Sequence, residues 1–375
     1  MRRIALGLAI STASTVLSVA VLLFAGRALG YFATAEAALL FPPHSTFESA
    51  TSEFHYRATV NSLGFRGPEL RERRVRVMTL GDSFTFGWGV NDDEPWPRVL
   101  ERLLGEDVEV VNLGKSGANP PDYEVIADAA VPFLRPDLVV VGLLQMNDVG
   151  AALVPPSASP IVPRGWLDQA TMPPPSVITA EDVRAEWQGI AERIIAEFTS
   201  AEAAKYASLD PEIRALFESG RLEPTKIRRI TRDPEAPLRL MAVPPTEEAR
   251  TLEAAAAAHL SRVREIAEAQ GATVLAVSVP VIVSVLPELR GSIRMGFVQL
   301  PWLASSSIAD DQAQRIADAA GVPLVVVTDE VRRAAREREL YFPLDAHFTA
   351  AGHTTFAEAI APSVRDALDT RTASR

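Results

Sequence analysis

The chain has 375 residues, 37 basic and 48 acidic, for a formal charge of −11. That balance speaks against a nucleic-acid partner, which selects a basic face, while 47 % hydrophobic and 23 % charged residues describe a globular chain with ample core. Cysteine is absent, which excludes disulfide frameworks, thiolate metal sites and cysteine nucleophiles, and five histidines leave little for a histidine-rich metal centre.

Arg2 and Arg3 precede 23 uncharged residues, 4–26, that end at Arg27. As a helix this run spans about 34 Å, enough for a hydrocarbon core of about 30 Å. A cleaved signal has a shorter apolar stretch of about 7–15 residues, although Ala33-Thr34-Ala35 also supplies the small residues of a cleavage site. The expectation is a membrane anchor within residues 1–30, with a removed signal as the alternative. Two arginines before the run against one after it place the amino terminus in the cytoplasm and the body outside. Residues 31–74 read as an approach segment with little periodicity. Within it, 61–68 (Asn-Ser-Leu-Gly-Phe-Arg-Gly-Pro) has turn chemistry. Arg71, Arg73, Arg74 and Arg76, interleaved with Glu69 and Glu72, form either a solvated flank or an anion patch.

Five apolar runs follow, at 75–80, 108–113, 138–144, 273–279 and 322–327. Continuous rather than alternating apolarity predicts strands covered on both faces, as in a parallel sheet. Amphipathic helical patterns separate them. One is expected from Glu247 to Ala269, N-capped by Thr246 and stopped before Gly271. The alternation predicts a doubly wound α/β domain over 75–149 and 246–370. Residues 150–245 are far too long for a loop and read as an inserted lobe, first proline-rich and then helical. Trp187, Ile190, Ala191, Ile194 and Phe198 there either pack the lobe or line a substrate groove.

The chemistry-bearing residues sit where the predicted strands end. The first strand runs into Gly81-Asp82-Ser83-Phe84-Thr85-Phe86-Gly87-Trp88-Gly89. A serine there stands at the carboxyl edge of the sheet, where open α/β folds bind ligands. Neither a P-loop nor a Gly-x-Ser-x-Gly elbow is present. The second strand ends near Lys115-Ser116-Gly117, and the third near Gln145-Met146-Asn147-Asp148. After the last strand come Asp345-Ala346-His347 and Gly352-His353. An aspartate beside a histidine can orient the ring and stabilise it once protonated. His353, near a helix start N-capped by Thr349, is expected to be a structural hydrogen-bonding residue, and Asp82 a local one.

In this order the four segments resemble the SGNH/GDSL hydrolase superfamily. The resemblance covers roughly 75–149 and 272–365. It implies a flavodoxin-like five-stranded parallel sheet, with Ser83 as nucleophile and His347 as base partnered by Asp345. It also implies an oxyanion hole from the Ser83 and Gly117 backbone N–H groups and the Asn147 amide, and no metal or organic cofactor. Gln145 stands where glycine usually begins the third block, which narrows the site or alters donor geometry. The single residue between Asp345 and His347, where many members have two, is similar to a membrane-associated branch that includes exopolysaccharide O-acetylation proteins. The expected activity is hydrolysis of short O-acyl esters on carbohydrate or lipid by an exported, membrane-anchored enzyme. The alternatives are an O-acyltransferase acetylating an exopolysaccharide, with a membrane acyltransferase as partner, and a non-catalytic carbohydrate-binding accessory protein.

Overall fold

The structure is a computed structural model that describes residues 40–71, 75–156 and 175–373. The expected anchor, residues 1–30, lies outside the described residues, as does 157–174 of the proline-rich stretch. Among the described residues no helix is long and apolar enough to cross a membrane. The approach segment has more structure than its composition announces. It holds two antiparallel strands, β1 (Thr46–Ala50) and β2 (His55–Thr59), and β1 also pairs in parallel with β6 (Val177–Ile178).

The main sheet contains β3 (Val75–Gly81), β4 (Val108–Gly114), β5 (Leu138–Leu144), β7 (Thr273–Val279) and β8 (Leu324–Val326). All four pairings are parallel, in the order β4-β3-β5-β7-β8, the flavodoxin-like arrangement. The strands read as continuous apolar runs because each faces two cores. Val139, Val141 and Leu143 of β5 point into one core; Leu138, Val140 and Leu144 point into the other. The first core is covered by the helices Pro120–Leu134, Glu247–Ala269 and Ile308–Ala320, the second by Trp96–Leu104 and Ala350–Ala373. Thr246 caps Glu247–Ala269 by accepting the Ala249 N–H at 3.0 Å.

Between β5 and β7 the helices Ala180–Ala196, Ser200–Ala207, Pro211–Glu218 and Thr225–Arg232 surround their own apolar centre, which includes Ile194, Ile213, Phe217 and Ile227. Ala191 and Ile194 belong to this centre, so here the helical spacing serves packing. Met295 and Leu344 join the same cluster. Leu344 directly precedes Asp345, so the lobe shares its core with that loop.

Candidate active site

Ser83 opens the short helix Ser83–Phe86 directly after β3. Asp82 caps it, accepting the Phe84 N–H at 3.0 Å, and Gly87 closes it in the left-handed region at φ 92°. β4 lies so close that a Cβ on Gly114 would collide with the backbone of Thr85 and Phe86. Beneath the turn is Arg66, from the 61–68 segment. Its guanidinium is buried and donates to the carbonyls of Phe86 (2.8 Å), Gly87 (2.5 Å) and Val90 (2.5 Å).

His347 arrives from the other end of the chain. Ser83 Oγ lies 2.7 Å from His347 Nε2, and Nδ1 of the same ring contacts Asp345 Oδ1. A buried carboxylate at Nδ1 holds the proton there and leaves Nε2 free to accept one from a hydroxyl. Asp345 Oδ2 is 3.6 Å from Lys226 Nζ. Burial pushes the Asp345 carboxyl up, but Lys226 and His347 outweigh it and hold the group well below the usual carboxylate range. Asp82 lies 3.5 Å from Ser83 Oγ, too far for a strong bond. Burial raises its carboxyl to about 6, against the opposing pull of His347.

Gly117 and Asn147 follow the ends of β4 and β5, the strands on either side of β3, at a spacing of about 4.8 Å per strand. Asn147 opens a short helix after an unusual turn. Met146 sits at φ 65° and ψ −39°, and the Asn147 N–H bonds to the Gln145 carbonyl at 2.7 Å. This is the rarer, strained mirror form of the γ-turn. Buried Asp148 ties it down by accepting the Leu144 N–H at 3.0 Å and the Tyr123 hydroxyl at 3.1 Å. Gln145 is buried, and its amide nitrogen lies within hydrogen-bond distance of Asp310 (2.6 Å) on the helix Ile308–Ala320, Ser278 (3.1 Å) near the end of β7 and Thr328 (3.2 Å) after β8. Its bulk is thus taken up behind the third block. Among the described residues no cluster of three histidine or carboxylate side chains is placed to hold a metal ion.

His353 is fully buried, and its Nδ1 accepts the Trp96 N–H at 3.2 Å. Burial holds this imidazole near 3 instead of 6.5. The unfolded chain therefore binds a proton that the fold refuses. The associated stability is complete above about pH 6.5 and falls as pH drops towards 3, by about 1.4 kcal/mol per pH unit. Thermal midpoints measured across this range should fall less steeply for His353→Asn, which keeps an acceptor near Nδ1 but does not titrate.

Two contributors carried no local signal in the sequence. Glu53 and Lys226 reach the Asp345 loop from β1–β2 and from the lobe. Trp187 of the lobe stacks on Trp88 at 6.0 Å, and Trp88 stands 6.3 Å from the His347 ring.

The GDSL-like lipase/acylhydrolase family model matches residues 79–284, more than half of the chain. The chain belongs to this family. It is accordingly an ester-hydrolysing serine hydrolase, and the SGNH/GDSL resemblance of its motifs holds. Solved structures similar to this GDSL-family chain include the M. smegmatis aryl esterase, at 17 % identity and a TM-score of 0.34, covering 78 % of this chain and 99 % of that one. A lipase/acylhydrolase from Enterococcus faecalis is 12 % identical with a TM-score of 0.36, covering 78 % and 96 %. An acetyl xylan esterase from Geobacillus stearothermophilus is 12 % identical with a TM-score of 0.38, covering 78 % and 95 %. No curated protein matches the chain.

Proposed function

We propose that the protein is a serine esterase removing short O-acyl groups from carbohydrate or lipid hydroxyls outside the cytoplasm. The observation that carries this reading is the 2.7 Å approach of Ser83 Oγ to a histidine whose other nitrogen meets a buried carboxylate. Ser83 Oγ attacks the ester carbonyl while His347 Nε2 takes its proton, and Asp345 stabilises the resulting imidazolium. The backbone N–H groups of Ser83 and Gly117 and the Asn147 amide receive the developing oxyanion. The imidazolium then returns its proton to the departing alcohol, and water repeats the sequence on the acyl-enzyme.

Trp88 and Trp187 favour a sugar on the alcohol side. Trp88 is part-exposed beside the base, and an aromatic body presents apolar area to the faces of a sugar ring. The location outside the cytoplasm rests on the apolar run 4–26 and the arginines before it, with that run as the membrane tether. Delivery of the acyl group to a sugar hydroxyl, with a membrane acyltransferase as partner, would use the same first half-reaction.

The test is an acyl series from acetyl to lauroyl on p-nitrophenol, alongside acetylated xylan, with the full chain. Fastest turnover on the acetyl ester and acetate release from xylan are expected. Added polysaccharide that takes up the acyl group faster than water would establish the transferase instead. No Ser83-dependent turnover on any ester would overturn both readings.

A further inference from the structure

The loop Leu344–His347 is held from two sides by parts of the chain outside the main sheet. Asp345 and His347 are separated by Ala346 alone, at φ 74°. A non-glycine residue there costs roughly 1–2 kcal/mol and persists only where its surroundings impose it. Glu53, in the β1–β2 turn, accepts the Leu344 N–H at 2.8 Å and the Asp345 N–H at 2.6 Å. Lys226, on the lobe helix Thr225–Arg232, donates to the Asp345 carbonyl at 3.0 Å and lies 3.6 Å from Oδ2. Its side chain is 15 % exposed and that of Asp345 2 %, so solvent screens the pair little.

We propose that Lys226 is a positioning residue for the Asp345–His347 pair. It pins the strained loop through the carbonyl and occupies Oδ2, leaving Oδ1 for the imidazole. The inference rests on the serine-esterase reading above. It also changes the standing of the inserted lobe, which here supplies part of the catalytic support in addition to any choice of substrate.

A cation against Asp345 offsets part of the negative charge that the carboxylate presents to the His347 ring. The other groups facing this pair are Glu53 and Tyr56 on the Asp345 side, and Asp82 and buried His353 on the His347 side. Lys226 is the cation that contacts the carboxylate directly. Its removal leaves the carboxylate charge unopposed beside the ring, and the acid limb of kcat is expected to move to higher pH. A residue that merely propped the loop would lower the rate without moving that limb.

The test compares kcat and KM for p-nitrophenyl acetate across pH in the parent, Lys226→Met and Lys226→Arg, with Ser83→Ala as control. Lys226→Met is expected to hold KM while kcat falls by as much as about 10²-fold. Its acid limb should rise by about one pH unit, and Lys226→Arg should restore the limb. If Lys226→Met does not fold, Lys226→Gln keeps a donor for the Asp345 carbonyl and should still raise the limb. A folded, charge-removed variant whose acid limb coincides with the parent's overturns the positioning role. Full turnover by Ser83→Ala would instead sink the esterase reading beneath it, so the two failures are distinguishable.

Discussion

Ser83→Ala is expected to abolish acyl-enzyme formation and lower kcat by on the order of 10⁶. No cysteine exists to replace it, and Asp82, the nearest carboxylate, is already engaged as the cap of the turn. His347→Ala should cost nearly as much, because an unassisted hydroxyl is a poor nucleophile at neutral pH. Asp345→Asn should lose about 10⁴, since it misdirects the tautomer yet leaves a ring in place. Ser83→Ala combined with His347→Ala should be scarcely worse than either alone, because both residues serve one step. Organophosphate labelling and burst kinetics on matched, folded variants measure each outcome. Undiminished turnover in folded Ser83→Ala would remove the assignment altogether.

Arg66→Met should be the most damaging change outside the catalytic residues. It removes the guanidinium donors from three carbonyls, leaving Phe86 with the Asn112 amide (3.3 Å), Gly87 with the Val90 N–H (3.4 Å) and the Val90 carbonyl without its 2.5 Å partner. Leaving one buried acceptor unpaired costs about 1–3 kcal/mol, and with two further bonds weakened a loss of about 2–3 kcal/mol is expected. The guanidinium also lies 4.7 Å from the Phe86 ring centre, so its loss loosens the turn that aims Ser83. Arg66→Lys should rescue little, since a compact ammonium lacks the planar fork that reaches several acceptors at once. Chemical denaturation and Ser83 labelling, measured together, would reveal both effects. A variant with parental stability would show that water or rearranged backbone satisfies those carbonyls.

Most of the main sheet was legible because β3, β4, β5 and β7 are largely buried on both faces, and double burial writes an unbroken apolar run. The run at 322–327 overshoots β8, because buried Val327 already leads into the helix that starts at Thr328. β1 and β2 were not legible. They are five residues each and part-exposed, and β1 draws support from Val177 and Ile178, far along the chain. The serine, histidine and aspartate stood out through their residue types and order. Glu53 was hidden because its carboxylate serves backbone N–H groups 291 and 292 residues away, which imposes no pattern on either segment. Lys226 left one faint trace, as one of three lysines in a chain whose basic residues are otherwise arginines.

The contact between Ser83 and His347 joins residues 264 positions apart, and this has a consequence for the newly made protein. At a synthesis rate of roughly 5–20 residues per second, the serine leaves the ribosome's catalytic centre about 13–50 s before its base is added. Throughout that interval the nascent polypeptide carries a hydroxyl that nothing activates. The part-buried clamp from Glu53 also has nothing to grip until Leu344 and Asp345 have been added. On the proposed mechanism, ester cleavage therefore switches on as one of the last events of maturation, and acyl groups met by the unfinished polypeptide are left intact.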